Sequence, residues 1–163
     1  KLIRELMDSA QYSKMNFSVM PLQTVVDKAL EGAADGLALK KIQLRVSHPP
    51  TPSLALVDPE KIKVALHNVI LNAVEAMETG NGLLEIAIQP VKGMHEITIR
   101  DNGSGMSKEV ADRLFEPYFT SKPNGVGIGL ATTRAIIQSH KGNIAVAPAP
   151  GQGTVFTLSF PAL

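Results

Sequence analysis

Residues 101–130 read DNGSGMSKEVADRLFEPYFTSKPNGVGIGL, with Gly103 and Gly105 at one end and Gly125, Gly127 and Gly129 at the other. Glycine at that density is costly in backbone entropy, and a chain keeps it where the backbone must take φ > 0 or approach a ligand closely. Successive N–H groups in such loops form anion-binding concavities, and a helix beginning just after them adds its positive end. The second cluster runs straight into LATTRAIIQSH (residues 130–140), a helical pattern over about 128–140 that stops at Gly142. The economical reading is a nucleoside triphosphate site with a flap, carrying the aromatic-proline run LFEPYF, over it.

Upstream, Asp58 followed by Pro59 predicts a helix start, with the carboxylate as N-cap and proline at the first helical position. Ile62, Leu66, Val69, Ile70, Ala73 and Met77 give that helix (58–77) an apolar face. Asn68 and Asn72 lie one turn apart inside it, with Glu75 on the neighbouring ridge. Asparagine is a mediocre helix former, so the pair reads either as a solvent-facing polar stripe or as a polar edge turned toward the glycine loops. An amide oxygen is a hard ligand suited to Mg²⁺, which keeps several waters and shares phosphate oxygens. Asp101 ends the strand pattern HEITIR. It reads as the start of a tight turn or as a buried acceptor for an exocyclic amine, which would separate adenine from guanine.

Around these pieces the pattern alternates loosely. An amphipathic run (Leu2, Ile3, Leu6, Met7, Ala10) is followed by a connector over 14–21 that ends at Pro21, then by a helix over about 22–36. Strands are expected near 42–46, at 54–57, as the pair LLEIAIQ and HEITIR turning at Lys92-Gly93, and near 143–147 and 153–160. The predicted class is α+β: a two-layer sandwich with a mixed, mostly antiparallel sheet covered by helices on one face.

Composition narrows the partners. A net charge of +1 with no block of like charge argues against a nucleic-acid or membrane surface. With no cysteines there is neither a disulfide framework nor a thiolate metal site. No apolar run reaches the roughly 18–20 residues that span a bilayer. The chain opens at Lys1 inside a helical pattern and is expected to be a piece of a longer protein.

From Phe17 to Phe160 the sequence resembles the ATP-binding catalytic domain of sensor histidine kinases. HNVILNAVEAM (67–77) is similar to the family's N box, DNGSGM (101–106) to its first glycine box, LFEPYFTSK (114–122) to its F box, GVGIGL (125–130) to the second glycine box and GQGTVF (151–156) to the last. The resemblance implies ATP and Mg²⁺ as cofactors, with Asn72 as the metal-binding asparagine and Asn68 facing the phosphates. It makes Asp101 the adenine reader, with Gly103 and Gly105 against the base and Thr154 supporting the pocket, while Phe156 reads as core. Phe115, Pro117, Tyr118 and Phe119 would belong to the lid, with Lys122 and Arg113 as its cations. Gly125, Gly127 and Gly129 would hold the triphosphate; Met106, Thr120, Val126, Ile128 and Leu130 complete the lining. Residues 1–15 would end a dimerisation hairpin helix, 16–21 would be the hinge, and 22–163 the catalytic domain.

The implied partners are a histidine-bearing dimerisation domain and a response regulator receiver domain, with a homodimeric parent and a cytoplasmic catalytic domain. No nucleic acid or direct membrane contact is expected. Two features depart from the family's pattern. None of His48, His67, His95 and His140 sits in the phosphoacceptor pattern of a helical His-acid pair with a following proline; His95-Glu96 lies in a strand pattern. His140 reads as a cation suited to a helix C-terminus. Glu75 stands where many relatives carry a basic residue. The alternatives are an ATP-hydrolysing switch of the gyrase or chaperone type, disfavoured because Asn68 stands where a glutamate base is needed, and a non-catalytic nucleotide-binding module.

Overall fold

The computed structural model describes residues 14–119, 129–148 and 151–163. The elements run β1 (Ser18–Pro21), α1 (Leu22–Leu39), β2 (Gln43–Ser47), β3 (Leu54–Val57), α2 (Pro59–Ala76), β4 (Leu83–Val91), β5 (Met94–Asp101), α3 (Lys108–Arg113), α4 (Gly129–Ser139), β6 (Asn143–Pro148) and β7 (Thr154–Pro161). Five strands form the main sheet in the order β2-β4-β5-β7-β6, while β1 and β3 pair separately. Among the described residues β2 pairs with β4 in parallel, while the β4–β5, β5–β7 and β7–β6 pairs are antiparallel. The mixed sheet and its helical layer are those expected.

The core follows from period-two burial on the strands meeting period-3.6 burial on the helices. Leu84, Ile86 and Ile88 on β4, Ile97 and Ile99 on β5, and Phe156, Leu158 and Phe160 on β7 are buried, with less buried residues between them. Against them pack Leu22, Val25, Val26 and Ala29 of α1, Ile62, Leu66, Val69 and Ile70 of α2, and Ile136 and Ile137 of α4. As its sequence predicts, α2 is capped by the Asp58 side chain, which accepts from the Lys61 N–H at 3.3 Å, with Pro59 behind it. The β4–β5 hairpin turns on Lys92 (φ 50°) and Gly93 (φ 80°), with Val91 opposite Met94. Positive φ at both central residues is the pattern of a type I′ two-residue hairpin turn.

Two elements differ from expectation. Half of the predicted connector is strand, since Ser18–Pro21 pairs antiparallel with Leu54–Val57. Its residues gain that pairing only from a partner far along the chain, and four residues ending in proline carry no readable alternation. The short helix α3 was not expected; it is set by Ser107, whose hydroxyl accepts from the Val110 N–H at 3.2 Å. No described helix is long and apolar enough to cross a membrane.

The two faces of α2 make a direct test. Leu66 is 1% exposed and Leu71 47%. Leu66→Ala is expected to cost about 2–5 kcal/mol through the cavity it leaves, and Leu71→Ala to stay within about 0.5 kcal/mol, both read from urea unfolding midpoints.

Candidate functional site

Helix α2 touches both glycine-rich segments. Near its middle, the Asn68 amide donates to the Gly129 carbonyl at 3.1 Å and to the Thr133 hydroxyl at 3.2 Å. Thr133, fully buried, also donates to the Gly129 carbonyl at 2.8 Å. The first turn of α4 is thereby tied to α2. At the other end, the Ala76 carbonyl accepts from the Ser104 N–H at 3.3 Å. Gly103 lies so close to that carbonyl that an added Cβ would overlap it. From Asn68 to Ala76 the helix rises roughly 12 Å. Asn72, half-buried, stands midway between the two contacts.

Asp101 is 3% exposed at the end of β5, opposite Thr154 on β7, which is equally buried. Its Oδ1 accepts from the Gly103 N–H at 2.8 Å, and the Thr154 N–H also points to the carboxylate. Burial raises the Asp101 pKa above the usual carboxylate value, and these two backbone donors oppose the rise. Gly153 (φ 89°) brings β7 in so close that a Cβ would meet the Asp101 carbonyl. Gly151 closes the approach by donating to the Ser104 carbonyl at 2.7 Å.

Asn102 has a role beside the candidate site that its sequence does not announce. Its Oδ1 accepts from the Leu83 N–H at 2.9 Å and its Nδ2 donates to the Asn81 carbonyl at 3.0 Å, strapping the loop after α2 to the glycine turn. The signal available was an Asp-Asn-Gly turn, which does not reveal a partner twenty residues back. Beside this strap lies a cavity of about 310 Å³ whose wall includes Ala76, Asn102, Gly103 and Ser104.

The other expected residues fall as follows. Gly105 takes φ 72°, and Met106 after it is half-buried. Leu130 packs against the core from the first turn of α4. Phe115 anchors the segment after α3 by meeting Phe156 edge-on at 6.4 Å, with the Arg134 guanidinium 5.9 Å from its ring centre. Arg113 lies 4.5 Å over the Phe119 ring, with Nε 2.7 Å from Glu116 Oε2. Both ends of that pair are exposed, so it holds Arg113 by at most about 1 kcal/mol. Thr120, Lys122, Gly125, Val126, Gly127 and Ile128 lie outside the described residues.

His140 corrects the expectation of a cation at the helix end. It is 5% exposed, and its Nε2 accepts from the Asp58 N–H at 3.0 Å, so the ring is neutral. Burial lowers its pKa, against a smaller opposing pull from the Ile136 carbonyl and the Asp58 carboxylate.

A carboxylate whose folded pKa is raised favours the fold below its unfolded pKa, and that contribution is lost as pH rises through the folded value. At neutral pH Asp101 is therefore a cost to the apo fold. Asp101→Asn keeps an oxygen for the Gly103 N–H, and the variant is expected to gain stability relative to the parent as pH rises from 4 to 7, read as the difference in urea midpoints.

Comparison with known proteins gives this arrangement its relatives. A family described as histidine kinase-, DNA gyrase B- and HSP90-like ATPase matches residues 57–163. Over 162 residues, 99% of this chain and 35% of the relative, the sequence is 30% identical to sensor histidine kinase ZraS of Klebsiella oxytoca. It is 37% identical to sporulation kinase A of Bacillus subtilis over 123 residues, 76% of this chain and 20% of that protein. The chain thus spans about a third or less of these curated relatives. The nucleotide-free catalytic domain of histidine kinase ThkA superposes with a TM-score of 0.82 at 25% identity, covering 90% of this chain and 96% of that one. With that family's pattern running through α2, Asp101, Gly129 and Thr154, over more than half of its length, the chain belongs to the histidine kinase-, DNA gyrase B- and HSP90-like ATPase family.

Proposed function

We propose that this chain is the ATP-binding catalytic domain of a two-component sensor histidine kinase. It would move the γ-phosphoryl group of ATP to a histidine on a dimerisation domain of the parent protein, for relay to a response regulator receiver domain. The parent would be a homodimer, and this domain would work in the cytoplasm. In that reading residues 1–15 end the hairpin helix, 16–21 are the linker and 22–163 the catalytic domain.

The observation that carries the reading is the hold of α2 on both glycine segments. Ser104 is bonded at the helix end and Gly129 at its middle, and Asn72 stands between them. A nucleotide laid along that helix would place its base at Asp101 and its phosphates at the start of α4. There the backbone N–H groups of the first turn and the helix dipole favour negative charge. Asp101, held by the Gly103 and Thr154 N–H groups, would accept from the exocyclic amine of adenine. The Asn72 amide oxygen fits Mg²⁺ held largely by phosphate oxygens and water. When bound, that ion supplies neutralisation of charge on the β- and γ-phosphates.

For phosphoryl transfer the protein mostly positions its reactants. The acceptor imidazole nitrogen would form a bond to the γ-phosphorus as the bond to the β–γ bridging oxygen breaks, leaving ADP. The lid carrying Phe115 and Phe119 would exclude water and favour transfer over hydrolysis. Asn68 supports this over a hydrolytic switch: its amide is committed to Gly129 and Thr133 and has no basic function.

Asn72→Ala is expected to remove the Mg²⁺-dependent part of nucleotide affinity, a loss of tenfold or more (about 1.4 kcal/mol), with little change in unfolding midpoint. Calorimetric titration with an ATP analogue, with and without Mg²⁺, checks this. A variant that binds Mg-nucleotide like the parent refutes the assignment of Asn72.

A further inference from the structure

His140 joins three parts of the chain that the sequence leaves far apart. Its Nδ1 lies 2.7 Å from the Ile136 carbonyl on α4, and its Nε2 3.0 Å from the backbone nitrogen of Asp58. That nitrogen can only donate, so Nε2 is the acceptor. The ring proton therefore sits on Nδ1, donated to the Ile136 carbonyl. The Phe17 ring meets the imidazole edge-on at 5.2 Å and 72°, and Phe160 does so at 6.2 Å and 90°.

Asp58 works in two directions. Its Oδ1 caps α2 through the Lys61 N–H, and its Oδ2 accepts from the Asn16 N–H at 2.9 Å. Asn16 and Phe17, the residues just before β1, are thus held by the Asp58–His140 pair. Its other end is α4, an 11-residue helix that begins at Gly129 under the Asn68 amide.

We propose that His140 is a positioning residue: as a neutral imidazole it pins the connector at Asn16–Phe17 to the end of α4, the helix that starts at the nucleotide site. The pin fixes where the chain leaves the catalytic domain toward the segment that precedes it. What that placement serves rests on the kinase reading above; the pin itself does not. Protonation would set an N–H against the Asp58 N–H and release the pin. Among the described residues, the ionisable group facing the ring is the Asp58 carboxylate from the start of α2. The connector and β7 present aromatic rings, α4 a carbonyl, and exposed Lys141 follows in the chain. Lys14, Glu60 and Lys61 line the cleft over Asn16 and Asp58. Burial lowers the His140 pKa, so its contribution is complete above the ordinary histidine value and is lost as pH falls through the lowered folded value.

The test is amide hydrogen exchange by NMR on the 163-residue chain at pH 7.5 and 5.5, corrected for intrinsic rates. His140→Phe keeps a ring but no acceptor, whereas His140→Gln keeps an acceptor. The expected result is at least tenfold loss of protection at Asn16 and Asp58 in the Phe variant, with Ile97 and Leu158 protected as in the parent. In the Gln variant protection is largely retained and no longer varies with pH. In the parent it falls as the His140 ring signals report protonation. Equal protection in parent and Phe variant at both pH values would overturn the proposal. If the Phe variant loses protection at Ile97 and Leu158, the parent decides alone: Asn16 protection unchanged while the His140 ring titrates also overturns it. A parallel titration with an ATP analogue separates the two readings, since failure to bind would sink the nucleotide site and leave the pin standing.

Discussion

Asn68 projects from α2 into the gap between that helix and α4, where its amide reaches both the Gly129 carbonyl and the Thr133 hydroxyl. Thr133 beneath them is fully buried, while Asn68 itself is half-buried, so each bond contributes about 0.5–1.5 kcal/mol net. The tie sets the depth at which α4 begins, and so where its first N–H groups point. The same rigid helix carries Asn72 and ends on the glycine turn at Gly103–Ser104. Asn72, the Gly103–Ser104 turn and Gly129 thus share one frame, and a change in α2 is felt by all of them.

The site is built at some expense to the apo fold. Asp101 is buried where its charged form is disfavoured, and two backbone donors only partly offset that. A carboxylate kept there against its own desolvation adds nothing to stability at neutral pH, which accords with the adenine contact proposed for it. Glycine does related work nearby. Gly103 and Gly153 leave out the Cβ atoms that would push Ala76 and Asp101 away, and the turn, β5 and β7 close around the carboxylate. Arg113, by contrast, is held among the described residues by exposed Glu116 and half-buried Phe119.

Much of this could be read from residues because it is local. Asp58-Pro59 announces a helix start, Lys92-Gly93 a two-residue turn, and HEITIR followed by Asp-Asn-Gly a strand that ends in a carboxylate. What could not be read depends on contacts between distant segments. Strand β1 exists only because 54–57 lies beside it. Helix α3, six residues long, is set by one serine cap. Asn102 reveals its role through Leu83 and Asn81. His140 looked like a cation for a helix end, yet its decisive partner is 82 residues away in sequence.

If Asp101 reads an adenine base laid against the frame that α2 builds, the choice of base rests on its carboxylate. Competition calorimetry of the 163-residue chain with non-hydrolysable ATP and GTP analogues, both with Mg²⁺, tests it most directly. The expected result is saturable binding of the adenine analogue, a preference over the guanine analogue of at least tenfold, and loss of that preference in Asp101→Asn. Equal affinity for the two analogues, or an unchanged preference in the variant, would contradict it.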